Sequence, residues 1–406
     1  MMPRSFVLGT LCVALAVIVV CQQGGTKPVG TRTIVITAED RDYAEVPVGV
    51  ELPDAAQAKS ARIRDVPCQL EQRDGKPLLW LIVRDLKQGQ SQTLRVTLDD
   101  TPAPGIAGQF ASAAEQDGTV TVEINGELFT KYEATKGPKP YLFPVLGPTG
   151  EGVTRSYPII QGVEGETNDH PHHRSWWFDH GNVNGVDFWS EGNRAGKQVH
   201  QAFEAVESGP VAAIIRTRND WMAPDGKKVC EDMREIRVYN VLAGRLVDYE
   251  MTVHASDGPV TFGDTKEGSF GLRLKDTMKV DAGLGGRIVN SEGDVDGATW
   301  GKRAAWCDYY GPVEGEVVGV AILDHPQNLR HPTYWHVRTY GLYAANPFGI
   351  HDFVEGQPDD AGNFTIPAGG SQAWRYRVFI HAGDTDSAKI ADVWSAYSDP
   401  PKVVVR

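Results

Sequence analysis

Ala373-Trp374-Arg375-Tyr376-Arg377-Val378-Phe379-Ile380 is a run of aromatic and β-branched residues, preceded by Gly369-Gly370-Ser371 and followed by Ala382-Gly383. Runs of the same kind recur at residues 32–37, 78–83, 120–124, 211–216, 234–239 and 317–322. Each is short, and Gly, Pro, Asn or Asp breaks the chain at close spacing between them. That is the pattern of a sandwich or barrel. Helical periodicity is scarce, and only the stretch around Ser387 to Tyr397 predicts a helix of note. The expected fold class is all-β.

Working outward, a Pro/Gly stretch, Thr101-Pro102-Ala103-Pro104-Gly105, marks a boundary. It separates a small N-terminal β module (30–104), too short for a strong core of its own, from a large unit (106–385). Residues 386–406 are expected to form a C-terminal tail. The chain has 406 residues, with 41% hydrophobic and 23% charged residues, ordinary for a soluble globular protein. Its formal charge of -13 and its lack of any basic run exclude a nucleic-acid partner, because a phosphate backbone needs a basic surface.

Residues 1–25 read as a signal peptide or lipoprotein signal, with Arg4 before a largely apolar stretch at 6–20. That stretch is short for a spanning helix of ~20 residues, with an uncleaved anchor as the alternative. Cys21 follows directly and is a candidate for lipid attachment, although Val20 is bulkier than the small residue that usually precedes such a cysteine. The expected location is extracytoplasmic, periplasmic or outer-membrane-associated, with membrane contact only through that lipid or anchor. With Cys12 and Cys21 set aside, Cys68, Cys230 and Cys307 make neither a disulfide framework nor a CxxC metal site. One bridge among them is possible.

Eight of the eleven histidines fall in two windows of the large unit. The first is Asp169-His170-Pro171-His172-His173-Arg174-Ser175-Trp176-Trp177-Phe178-Asp179-His180. Imidazole near neutral pH moves protons or ligates a metal. Read as a strand, the window puts His170, His172, Arg174, Trp176, Phe178 and His180 on one face and Asp169, His173, Ser175, Trp177 and Asp179 on the other. Indoles stack on sugar C–H surfaces while His and Arg bond hydroxyls or carboxylates. Trp189 and Trp221 would extend that platform. The competing reading is a metal: His170 and His172 have the spacing for one Cu or Zn ion, with Asp169 or Asp179 as oxygen ligands, but Arg174 on the same face would repel it.

The second window holds Asp324-His325, His331, His336 and His351. Tyr334, His336, Arg338 and Tyr340 alternate onto one face. Asp324 and His325 are a candidate carboxylate–imidazole pair, and the turn at Asn346-Pro347-Phe348-Gly349 would place His351 on a rim. A third segment, Asp264-Thr265-Lys266-Glu267-Gly268-Ser269-Phe270-Gly271-Leu272-Arg273, sets a carboxylate before two glycines that allow close approach. Glu267 there is a candidate general base if burial raises its pKa, or else a strand-end partner of Arg273.

Residues 169–178, 265–273 and 331–349 resemble a bacterial family labelled "methane oxygenase PmoA", over most of residues 30–385. A membrane methane-oxidising subunit requires several spanning helices, and this chain has one short apolar segment, so the resemblance does not imply methane oxidation. The stretch at 364–377, followed by His381-Ala382-Gly383, is similar to the closing strands of aldose-1-epimerase-like proteins, and His170-Pro171-His172-His173 resembles their HP-x-H segment. That likeness implies a galactose-mutarotase-like β-supersandwich whose concave face binds carbohydrate. It also implies a His acid and a Glu base, with His172 or His173 matching the first histidine. Glu267 stands where that family has its central histidine, so mutarotation is not carried over.

The expectation is a carbohydrate-active protein, an epimerase, lyase or hydrolase, in which Glu267 and one of His172, His173 or His351 transfer protons on a sugar or uronic acid. His170, Arg174, Arg273 and Arg338 would hold the substrate and Trp176 and Trp177 would stack on it. His180, Asp324, His325, His336 and Asn346 would complete the lining. No cofactor is expected. The alternatives are a non-catalytic sugar-binding lipoprotein and a Cu- or Zn-dependent oxidoreductase.

Overall fold

A computed structural model describes residues 28–73, 75–103 and 110–406. The expected signal, with Cys12 and Cys21, lies outside the described residues, as does part of the Pro/Gly boundary. Among the described residues no helix is long and apolar enough to cross a membrane.

The chain is all-β, and its bulk is a sandwich of two large antiparallel sheets. One has nine strands in the order Arg303–Ala304, Thr333–Val337, Leu342–Ala345, Gly268–Arg273, Trp176–His180, Tyr141–Val145, Glu127–Glu133, Thr119–Ile124, Ala111–Gln116. The other has eight, in the order Lys197–Glu207, Ala212–Met222, Lys228–Tyr239, Arg245–His254, Ser371–Ala382, Glu316–Asp324, Trp306–Val313, Arg287–Asn290. The β-rich runs of the sequence all lie in strands. Ser371–Ala382 sits at the middle of the eight-stranded sheet, paired on both sides.

The strand period of two decides what meets between the sheets. Trp176, Phe178, Phe270, Leu272 and Trp335 from the nine-stranded sheet share one buried cluster with Ile215, Trp221, Ile236, Tyr249, Val320 and Trp374 from the eight-stranded one. A closed polar network lies in the same space, where Asp232 accepts hydrogen bonds from Asn219, Trp221 and Arg234.

The small module is a four-stranded sheet (Lys402–Val405, Pro28–Thr37, Ser91–Asp99, Ser60–Ile63) and a three-stranded one (Tyr43–Glu51, Lys76–Leu86, Cys68–Arg73), with their own core. Residues 386–406 differ from the expected tail. They form the helix Ile390–Ser398 and a strand that pairs with the N-terminal one, Val405 opposite Ile34, and Ala396 joins the module's core. The physical reason is the open edge of Pro28–Thr37, whose backbone groups the Val403-Val404-Val405 run satisfies. The module docks on the large unit through buried Glu71, which takes Arg216, Arg237 and the Trp80 indole N–H. Cys68, Cys230 and Cys307 are free thiols, and the last two are buried in the large unit.

Candidate functional site

The outer face of the nine-stranded sheet carries the site. In the strand Trp176–His180, Trp177 and Asp179 turn outward while Trp176 and Phe178 enter the core. Trp177 lies flat on the neighbouring strand because Gly271 opposes it. A Cβ at Gly271 would stand 3.0 Å from the indole.

The histidine turn is built in front of that strand. Residues 170–175 are not strand, so the expected single alternation from His170 to His180 is corrected. Pro171 has no N–H for a ladder, and His170 takes a left-handed backbone (φ 45°). Fully buried Arg155 pins the turn. Its guanidinium donates to the carbonyls of Tyr157, Thr167, Asp169 and His170 and to the Asp169 carboxylate.

Four rings stack as a consequence. Tyr340 lies on His170 (5.4 Å, 8°), His170 on His173 (4.8 Å, 5°) and His173 on Trp177 (5.4 Å, 17°). His172 meets His170 and His173 edge-on, and Trp189 closes the far side against His172, His173 and Trp177. Beneath the rings, buried Lys139 bridges Asp179 and the Trp189 carbonyl. Burial pushes the Asp179 carboxyl up, against the pull of Lys139.

Arg273 ties the stack together. It donates to His173 Nδ1 at 3.2 Å and to both Asp169 oxygens at 2.8 and 3.1 Å, and its guanidinium lies over Tyr340 at 4.8 Å. Burial opposes ionisation of Asp169, but Arg273 and Arg155 outweigh it and hold the carboxyl well below the usual carboxylate range. His173 is buried, and burial with the charges of His172 and Arg273 keeps it neutral. His172 is half-buried, is pushed down to about 4 chiefly by burial, then by Lys139 and His170, and has no hydrogen-bond partner on its ring among the described residues.

Glu267 stands at the end of strand Gly268–Arg273 with its side chain 39% exposed. Gly181 makes room for it, since a Cβ there would approach the Glu267 Cβ to 2.9 Å. Burial raises the Glu267 carboxyl. Lys266, 3.9 Å away, opposes that, the charges of Asp352 and Asp187 add to it, and His170 works against it. Its expected pairing with Arg273 does not form, because Arg273 is committed to Asp169. Asn346 donates to the carbonyls of Thr265 and Lys266, both at 2.9 Å, and so holds the Glu267 turn in place rather than facing a ligand.

The remaining expected residues scatter. Arg174 is locked to Glu191 by two hydrogen bonds (2.7 and 2.8 Å). Trp176 is core, and so is Trp221, whose indole N–H binds Asp232. His180 is buried against Phe262 and Phe348, bonds the Gly263 carbonyl at 2.8 Å and is pushed down to about 4 by burial. Asp324 pairs with His331 (2.7 Å), not with His325, which accepts from the Gln327 N–H and packs on Tyr397. His336 is buried, accepts from the Trp300 N–H at 3.4 Å and is pushed down to about 3. His351 has Asp264 (3.0 Å) and Asp352 (3.8 Å) as ionic partners instead of any member of the stack, and Asp264 raises its pKa. Arg338 reaches the site edge, its guanidinium 5.1 Å from the Trp300 ring.

The fold brings His170, His172, His173, Trp177 and Arg273 together, where strand alternation would set His173 and Trp177 on the face opposite His170 and His172. Sequence reasoning missed Lys139, Arg155 and Trp300, isolated residues in irregular segments that carry no local pattern. For a metal, among the described residues no three His, Cys, Asp or Glu side chains converge, and Asp169 is already taken by two guanidinium groups.

The fold and site define a two-sheet β-sandwich with a cluster of aromatic, imidazole and guanidinium groups on the outer face of one sheet, of which His170, His172, Tyr340 and Glu267 reach the surface. Residues 119–395 match the family described as a family of unknown function, DUF6807, and the chain belongs to it. No curated protein matches the chain. Among solved structures, the chain is similar to a protein in the glycosyl hydrolase family 38 from Enterococcus faecalis (10% identity, TM-score 0.38, 93% of this chain and 47% of that one). It is similar also to an alpha-mannosidase from Enterococcus faecalis V583 (12% identity, TM-score 0.42, 93% and 46%). The chain spans just under half the length of either.

Proposed function

We propose that the surface formed by His170, His172 and Tyr340 binds a carbohydrate and that Glu267 acts on it as a general base. The observation that carries this reading is the ladder Tyr340–His170–His173–Trp177, whose exposed member His170 lies within electrostatic reach of the part-exposed Glu267 carboxylate. Ring edges and indole offer apolar surface to a sugar's C–H face, while imidazole and guanidinium N–H groups bond its hydroxyls.

The two titratable partners divide the work by environment. Burial makes Glu267 more basic than an ordinary glutamate, which suits proton abstraction. With a pKa of about 4, His172 is protonated in roughly one molecule in a thousand at pH 7. It therefore acts as a neutral N–H donor that polarises a substrate oxygen, with its unpartnered ring available for that bond. Buried His173 positions the ladder, because Arg273 already occupies its Nδ1.

The test is a calorimetric screen of the protein against neutral sugars, uronic acids and oligosaccharides, followed by a turnover assay on the ligand found. Glu267→Gln is expected to lower kcat on the order of 100- to 10,000-fold with an unchanged Tm. Turnover that survives this substitution removes Glu267 from its role. Turnover below an apparent pKa above 4.5 is expected to fall as Glu267 takes up its proton.

A further inference from the structure

Resting on that carbohydrate reading, we infer that the ligand carries a carboxylate, as a uronic acid does, and that Arg338 beside Tyr340 holds it. The protein as a whole is strongly acidic, with a formal charge of -13. The mouth of the site is mixed in sign, with Lys266, Arg273 and Arg338 set among Glu267, Asp352 and Asp187. Asp169 serves Arg155 and Arg273 together, so one of those two guanidinium charges has no counter-charge. Lys266 stands 3.9 Å from Glu267 and 3.5 Å from Asp352, within the general attraction of both but hydrogen-bonded to neither through its ammonium. Arg338 has no carboxylate within 4.0 Å among the described residues.

Arg338 is also structurally unfinished. Its buried Nε has no hydrogen-bond partner, and the same holds for the Nε of Arg273, whose side chain is fully buried. An unpaired buried N–H of a charged group carries a desolvation penalty that a bound anion would remove. Arg273 stacks on the Tyr340 ring, and the charges of both arginines and of Glu267 act on the Tyr340 hydroxyl. Tyr340 thus carries the Arg273 guanidinium on its ring and follows Arg338 by two residues in the chain. Trp300 backs Arg338, its ring 5.1 Å from the guanidinium carbon, and a guanidinium fork recognises a carboxylate by two parallel hydrogen bonds. A guanidinium left without a carboxylate in such a mixed site offers an anion a partner that the protein itself does not supply.

The experiment is isothermal titration of the full chain with galacturonate and glucuronate, and with oligomers of each, against galactose and glucose as matched neutral probes. Uronates are expected to bind at least tenfold more tightly than the neutral sugars, and rising salt is expected to shrink that ratio. Arg338→Gln is expected to bring uronate affinity down to that of the neutral sugar. Equal affinity for charged and neutral probes, or a preference that survives Arg338→Gln, overturns the assignment while leaving the carbohydrate reading standing. Failure of every sugar to bind overturns the carbohydrate reading and this inference with it. The wild-type ratio and its salt dependence decide the matter even if the variant does not fold.

Discussion

Two carboxylates of this protein rest on fully buried guanidinium groups, and they serve opposite ends. Asp232 lies between the sheets, takes Arg234 at 2.9 Å through both Nε and Nη2, and accepts Asn219 and the Trp221 indole at 2.8 and 2.6 Å. Its arginine is in turn bound to Gln198 and Tyr249. Both charged groups there have protein partners, which is the condition for ions in a dry interior, and only the Asn219 amide oxygen among these side chains lacks one. Asp169 lies on the outer face, 41% exposed, and its two arginines leave an Nε without a partner and a ring stack with open edges. The same residue types give a structural network where the ions are fully paired and a candidate site where a buried guanidinium N–H is left without a partner.

That contrast can be broken at several points. Asp232→Ala leaves Arg234 buried without its counter-charge and is expected to destabilise the protein by about 3–5 kcal/mol. Chemical denaturation reads this, and ligand affinity of the folded fraction should not change. A stability loss confined to a few tenths of a kcal/mol would mean the network is not closed.

Neighbouring tryptophans provide the second test. Trp176→Phe removes core volume and the packing against Phe270 and Tyr249, and is expected to cost about 1–3 kcal/mol of stability. Trp177→Phe is expected to weaken ligand binding about tenfold, since its ring is part of the ladder, and to cost stability as well, since the buried indole donates to Asp179. Equal behaviour of the two variants would place both on one side of the sheet.

Acid sharpens the comparison further. His173, His180 and His336 are held neutral by burial, so their folded pKa values lie below the unfolded 6.5. Between about pH 6.5 and 4 the unfolded chain binds protons that the folded chain refuses, so their contribution is full above 6.5 and is lost as pH falls. Each such histidine removes about 1.4 kcal/mol per pH unit across that window. His351 and His381, raised by Asp264 and Asp308, act in the opposite sense. A Tm measured from pH 7 to 4 should therefore fall steeply, and His180→Gln should flatten the slope. The smallest effect is expected at His325, whose partners are Gln327 and Tyr397. His325→Ala should leave ligand affinity unchanged, and a loss of binding would join the second histidine window to the site.

Much of this was legible in the chain. The period of two in short runs gave the all-β class because each strand of a two-sheet sandwich must bury one face. The crowding of His, Arg and Trp at 170–177 marked the site because imidazole and guanidinium have little place in a core. The same reading placed Trp176 on the ligand side, since strand alternation was carried back through Pro171 into a turn. It also paired Asp324 with the adjacent His325, where the fold brings His331 instead.

What sequence alone determined was the alternation of apolar residues and the local density of chemistry-bearing ones, both properties of short windows. What tertiary structure alone decided was which groups share a surface. Arg155, Lys139 and Trp300 reach the site from segments far apart in the chain, and the strand at 402–405 closes a sheet begun at residue 28. Hydrogen bonds and charges act over a few ångströms of space, not along the backbone, so only the folded chain fixes which carboxylate is closed and which is left open.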